Sequence, residues 1–218
     1  MSAVPASRAA ERRICIGLDL DNTIIDYRRL FVEVGASLRL VPADFRGDKT
    51  ALRSAVRALS DGERLWTALQ AEVYGARIMG ARMMPGALAF IRRAVATGLP
   101  TFIVSHKTRR PAADPDGVDL HEAARAWLDH HGVIGPGALQ SDNVFFEATR
   151  AEKIARIRAL RCTTFIDDLV EMFEDEQFPE DVDKLLLAED GAGAGAYRII
   201  SSWAEAETHL LTGLHYAH

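Results

Sequence analysis

Two carboxylates, Asp19 and Asp21, close the run Ile-Cys-Ile-Gly-Leu-Asp-Leu-Asp-Asn-Thr at 14–23. Side chains alternate along a strand, so both acids leave on one side and Leu20 on the other. At about 4 Å and an effective dielectric near 20, two such charges repel by roughly 4 kcal/mol. A proton on one of them or a bound cation must offset that, which points to acid–base or metal chemistry. The bland alternative is a turn in which Asp and Asn merely hold backbone groups.

Further reactive residue types stand at comparable places along the chain. Ser105, followed by His106 and Lys107, closes the apolar run Thr101–Val104, and Asp167 with Asp168 closes Thr163–Ile166. Lys153 falls in the first turn of a predicted helix, where the helix dipole disfavours a cation, and a nearby carboxylate cluster would account for it. Taken singly, Ser105 could be a turn residue and Lys153 a solvated one. Asn22 and Thr23 suit a turn that supports the acids, and His130-His131 suits an exposed helix end.

Those placements require strands that end at one edge. Ile14–Leu18 fits a buried strand of a parallel sheet, whose carboxyl end is where α/β sheets place ligands. Ile24-Ile25-Asp26-Tyr27 suits a tight turn or short hairpin. Residues 27–80 are helical in pattern with no strand candidate: Leu30, Val34, Leu38 and Leu40 form one stripe, Leu52, Val56 and Leu59 another, and Leu65, Leu69 and Val73 a third. One helix is enough for a crossover, so these read as a small helical subdomain at 27–83 beside a core of 1–26 and 84–218. Beyond Pro85-Gly86, helices at 88–97, 120–128, 150–161, 171–176 and 203–211 alternate with strands at 101–104, 144–146, 163–166, 184–187 and 197–200. Gly98 closes the first of these helices, and the Gly-Ala run at 191–196 reads as a flexible turn. The alternation predicts an α/β fold with a doubly wound parallel sheet.

At 218 residues, with 26 basic and 31 acidic side chains, the chain can bury one good core and carries no basic block of more than two or three residues. That argues against nucleic acid as a partner. No stretch approaches the length of a membrane span, and the first thirteen residues lack the apolar centre of a secretory signal, so a cytoplasmic protein with a loose N-terminal tail is expected. Cys15 and Cys162 fit core packing in a reducing compartment. A monomer or homodimer is expected.

In chain order, Asp19 and Asp21, Ser105, Lys153, then Asp167 and Asp168 resemble the four motifs of the haloacid dehalogenase superfamily of phosphohydrolases, over residues 14 to about 170. The resemblance implies a Rossmann-like core with a helical cap inserted after the first motif, here 27–83. It implies Asp19 as nucleophile, forming an aspartyl-phosphate, and Asp21 as proton donor and acceptor. Superfamily members that displace halide lack this second acid. Ser105 and Lys153 would hold and polarise the phosphoryl group. Mg²⁺ would be bound by Asp19, the backbone carbonyl of Asp21 and one of the final pair, with Asp168 favoured over Asp167. The expected substrate is a small phosphate monoester such as a sugar phosphate or nucleotide, contacted by Ser105, His106, Lys107, Tyr27 and Arg28, with Tyr74, Arg77 and Arg82 as further selectors. A phosphotransferase or phosphomutase on the same core, or a phosphate-binding module without turnover, are the alternatives.

Overall fold

The computed structural model describes residues 14–112, 114, 116–188 and 195–212. The N-terminal tail and most of the 191–196 run lie outside them. Among the described residues, eight strands follow one another as β1 (Ile16–Leu18), β2 (Ile25–Asp26), β3 (Arg82–Met83), β4 (Thr101–His106), β5 (Val144–Glu147), β6 (Thr164–Asp167), β7 (Asp183–Leu187) and β8 (Arg198–Ile200). Six of them form one parallel sheet in the order β5-β4-β1-β6-β7-β8. Chain order reverses at β1, so its carboxyl end opens onto the crevice where doubly wound sheets bind ligands.

The helices are α1 (Arg28–Ser37), α2 (Lys49–Arg57), α3 (Gly62–Tyr74), α4 (Ala87–Ala96), α5 (Leu120–His130), α6 (Arg150–Ala159), α7 (Val170–Phe173) and α8 (Trp203–Leu211). Alternation along β1 supplies both faces of the sheet. Ile16 and Leu18 join a cluster with Phe90 of α4, Trp127 of α5 and Trp203 of α8. Between them Gly17 turns to the opposite face, where Phe165 and Cys162 pack with Ile154 and Ile157 of α6 and Phe173 of α7. A methyl group on Gly17 would lie 2.4 Å from Phe165 Cδ2 and 3.0 Å from Cys162 Sγ, so the strand needs glycine to let that ring cross it. Cys15 and Cys162 are both free thiols, buried as core packing requires.

α1, α2, α3 and a 3₁₀ turn at Ile78–Gly80 fill the stretch between β2 and β3. Their apolar faces, among them Phe31, Leu52, Trp66 and Leu69, belong to the same continuous cluster as Ile16 and Leu18. β2 and β3 pair antiparallel, Ile25 opposite Met83 and Asp26 opposite Arg82, making a two-residue ribbon at the neck of the insertion. The sequence offers only half of that ribbon, because Arg82-Met83 is too short to show a period. The Trp127 indole N–H donates to Ala81 O at 3.1 Å and fixes the neck against the core.

Two stripe positions differ from expectation: Leu38 and Leu59 are 38% and 42% exposed, since α1 and α2 stop at Ser37 and Arg57 and both leucines fall just beyond. The acidic helix at 171–176 is a single turn, as Glu174, Asp175 and Glu176 offer no apolar face to bury. No helix among the described residues is long and apolar enough to cross a membrane.

Candidate active site

The register of the sheet assembles the site. Leu18 pairs with Ile103 of β4 and Ile166 of β6, so the next residue, Asp19, stands level with Asp167 and one step short of Ser105. The Asp19 N–H donates to Ile166 O at 2.8 Å and holds the acid at the strand end. The chain then turns back, with Ile24 and Ile25 N–H donating to Leu20 O, and Asn22 at the corner takes φ +61°, a left-handed conformation that asparagine tolerates.

α6 delivers the ammonium. Thr149 and Glu152 form a reciprocal capping box that fixes its first turn. From there Lys153 Nζ donates to Asp19 Oδ1 at 2.6 Å and Asp167 Oδ2 at 2.7 Å, with all three side chains buried. Asp167 Oδ1 accepts the Leu169 N–H at 3.0 Å, so both of its oxygens have protein partners. Asp168 lies beside it, half-buried and facing the cavity, with the Thr23 hydroxyl 3.4 Å from both Asp168 Oδ1 and Asp19 Oδ2.

Asp21 is gripped on both oxygens: Lys107 Nζ donates to Oδ2 at 2.7 Å and the Tyr27 hydroxyl to Oδ1 at 2.9 Å. Lys107 and Tyr27 are themselves buried, so these bonds fix the rotamer of the acid. Ser105 is 1% exposed and its Oγ has no hydrogen-bond partner among the described residues. A buried hydroxyl left that way costs about 1–3 kcal/mol, a cost that a ligand oxygen would remove.

Burial pushes the Asp19 carboxyl well above its ordinary pKa; Lys153 pulls it back, and Asp167, Asp168 and Asp21 push it up again. Asp168 rises to about 7, from burial first and the neighbouring Asp167 second. Burial works against the Lys153 ammonium too, but Asp19 and Asp167 outweigh it and its pKa ends up raised. Two ammoniums, Lys153 on Asp19 and Asp167 and Lys107 on Asp21, thus serve four acids, and the cluster is short of positive charge. Oxygens of Asp19, Asp167 and Asp168 lie within 4.8 Å of one another, and an all-carboxylate donor set suits a hard cation such as Mg²⁺. Asp19 and Asp168 have oxygens that no protein donor claims strongly, so these residues fit the ion.

A cavity of about 450 Å³ opens over this cluster, lined by Asp19, Asp21, Ser105, His106, Lys107, Lys153 and Asp168 from the core and by residues of α2 and α3 opposite. Among the residues expected to contact a substrate, His106 lines it, with its ring nitrogen 3.0 Å from Ala148 O. Tyr74 lines it from α3. Tyr27 lies beneath, bonded to Asp21 and absent from the lining. Arg28 pairs with Asp26 at 2.9 Å and faces a neighbouring cavity beside Trp203. Arg77 pairs with Glu72 at 3.0 Å, and neither it nor Arg82 lines the cavity. Lys49, Thr67 and Gln70 line it and were not among the candidates. Lys49 is the first residue of α2 and, like Lys153 in the first turn of α6, is set against the helix dipole, the one signal by which it could have been found.

No protein-family model and no curated protein sequence matches the chain. Solved structures do resemble it. A haloacid dehalogenase (HAD) family hydrolase from Deinococcus radiodurans, crystallised with bound phosphate and sodium, superposes with a TM-score of 0.59 at 18% identity, covering 91% of this chain and 95% of that one. A HAD hydrolase of family IA, variant 3, from Entamoeba histolytica gives 0.56 at 11% identity over 88% and 94%. A dehalogenase gives 0.51 at 11% identity over 92% and 98%. At these identities the likeness is one of architecture, and the architecture of this chain, a parallel sheet in the order β5-β4-β1-β6-β7-β8 with its acids at the carboxyl ends, is the fold of the haloacid dehalogenase superfamily.

Proposed function

We propose that the chain is a magnesium-dependent phosphatase that hydrolyses a small phosphate monoester, a sugar phosphate or nucleotide, through an aspartyl-phosphate on Asp19. The observation that carries this reading is the cavity floor, where Asp19 with its tethered ammonium, Lys153, lies beside the partnerless buried hydroxyl of Ser105.

In the first step an oxygen of Asp19 bonds to phosphorus and the ester P–O bond breaks, the leaving oxygen taking the proton of the Asp21 carboxyl. In the second, Asp21 takes a proton from water, the water oxygen bonds to phosphorus, and the bond from phosphorus to Asp19 breaks. Inorganic phosphate leaves and both acids are restored. Ser105 donates to a non-bridging phosphoryl oxygen, and Lys153 keeps Asp19 aimed and offsets charge that builds on the transferring group. Mg²⁺ held by Asp19 and Asp168, with Asp167 behind them pinned to Lys153, would neutralise phosphoryl and carboxylate charge.

The place of Asp21 favours phosphate over halide as the leaving chemistry. A halide departs as a weak base and needs no proton, whereas an alkoxide does. Tyr27 and Lys107 hold Asp21 two residues from the nucleophile in the same cavity, and their two donors stabilise the carboxylate left once its proton has gone to the leaving oxygen. Residues 27–83 serve as a cap over the site and the short β2–β3 ribbon as its neck; closure there would keep water out until the ester is placed. The buried free thiols Cys15 and Cys162 suit a reducing cytoplasm.

The test is release of inorganic phosphate from a panel of sugar phosphates and nucleotides by the purified protein, with Mg²⁺ and with chelator. Release that needs the metal and disappears in Asp19→Asn supports the reading. Failure on every ester, or turnover by Asp19→Asn near the parent rate, overturns it.

A further inference from the structure

Opposite the acid cluster, Lys49 reaches into the cavity from the first turn of α2. Its Nζ stands 4.5 Å from the centre of the Phe31 ring and 5.9 Å from that of Tyr74, and donates to the Tyr74 hydroxyl at 3.4 Å. Ring faces position an ammonium without neutralising it. No carboxylate among the described residues forms an ion pair with Lys49; burial lowers its pKa, and Asp168 and Asp21, acting from a distance, do not make up for it. The position also sets its charge against the positive end of the α2 dipole. A partly buried cation held in place, lacking an ion-pair partner and facing the ligand space is charge waiting for an anion.

That charge is separate from the machinery on the cavity floor. Lys153 is consumed by Asp19 and Asp167, and Lys107 by Asp21. Lys49, Thr67 and Gln70 also line a second cavity that continues outward along α2, where Arg53 stands one turn further on. The cation therefore sits where the two cavities meet, on the side that would face the carbon skeleton of a bound ester.

We propose that this site selects a phosphate ester carrying a second anionic group, a carboxylate or another phosphate, with Lys49 as its counter-charge. The proposal rests on the phosphatase reading for the identity of the first group. Lys49 supplies an ionic hydrogen bond to the far end of the substrate, Thr67 and Gln70 offer further hydrogen bonds around it, and the volume of about 450 Å³ restricts the ligand to small-metabolite size. A neutral polyol phosphate would leave the ammonium uncompensated as the site closes.

The experiment compares the parent protein, Lys49→Met and Lys49→Arg on three compounds of similar size: a phosphorylated hydroxy acid, a bisphosphate and the monophosphate of a neutral polyol. Values of kcat/KM are measured with Mg²⁺, and binding of the same compounds is measured by calorimetry. The parent is expected to prefer one doubly anionic compound over the neutral one by roughly 10- to 100-fold, the worth of one ionic hydrogen bond. Lys49→Met should collapse that ratio and Lys49→Arg should keep most of it. The acid and bisphosphate arms tell which anion is meant. A parent without preference, or a ratio unchanged by Lys49→Met, overturns the proposal, as it would if Lys49 merely touched the transferring phosphate and slowed all three alike. If no compound is hydrolysed, the calorimetric ratio decides: a preference lost in Lys49→Met upholds the selector while the phosphatase reading falls, and equal binding overturns the selector as well.

Discussion

Replacing Lys153 with methionine keeps most of the apolar stem and removes the ammonium, with its charge and its two hydrogen bonds. Nζ stands 2.6 Å from Asp19 and 2.7 Å from Asp167, with all three groups buried. At an effective dielectric near 20 each contact is worth about 6 kcal/mol of gross attraction, most of it offset by the cost of taking the charges out of water. Breaking a buried pair by deleting one partner costs a net ~3–5 kcal/mol, because the other charge is left stranded. Here two carboxylates are stranded at once, so Lys153→Met should lose stability at the upper end of that range in urea titrations without divalent metal. Saturating Mg²⁺ should return part of the loss, since the ion supplies charge to the same oxygens. Asp167→Asn on the same background should recover stability as well, by removing one stranded charge. Neither should recover turnover, because the ammonium also steadies the transferring group, and kcat should stay down by about 10²- to 10³-fold. A Lys153→Met protein with parental stability and parental turnover would refute the electrostatic account of the cluster.

Ser105→Ala removes a buried hydroxyl that has no hydrogen-bond partner among the described residues; thermal unfolding should be unchanged or slightly raised while kcat/KM falls by roughly 10- to 100-fold. Gly17→Ala pushes a methyl group into Phe165 at 2.4 Å and should cost about 1–3 kcal/mol in denaturant titration, with no change in metal affinity per folded molecule. Asp168, with its pKa raised to about 7, adds stability to the metal-free protein below the unfolded value near 4 and loses it as pH rises through about 7. Asp168→Asn should therefore flatten the fall in stability across that window. In the parent, Mg²⁺ affinity measured by calorimetry should climb with pH up to about 7, because the ion displaces that proton.

The core of the fold was legible because its signals are local. Ile16 and Leu18, Ile103 and Val104, and Phe165 and Ile166 are unbroken apolar runs, and each ends in the polar residue that the parallel register then gathers. Lys153 was legible for a subtler reason, as a cation placed against a helix dipole, and its two carboxylate partners supply the cause. What escaped depends on pairing across the chain. Arg82-Met83 shows no period of its own and becomes a strand only by lying against Ile25-Asp26. Tyr27 and Arg28 adjoin in sequence, yet a helix starting at Arg28 leaves Tyr27 buried under Asp21 and carries Arg28 to a neighbouring cavity. Lys49 lies thirty residues from the first acids, and only the packing of α1, α2 and α3 over the sheet brings it to the site.

The most direct measurement is the chemical state of Asp19 during turnover. The protein is mixed with Mg²⁺ and its best ester, quenched in acid within the turnover time, digested and mapped by mass spectrometry. The account predicts a phosphoryl group, labile to hydroxylamine, on the peptide containing Asp19 and absent from Asp19→Asn. Sustained release of phosphate with no label on Asp19, or with the label on another residue, would contradict it.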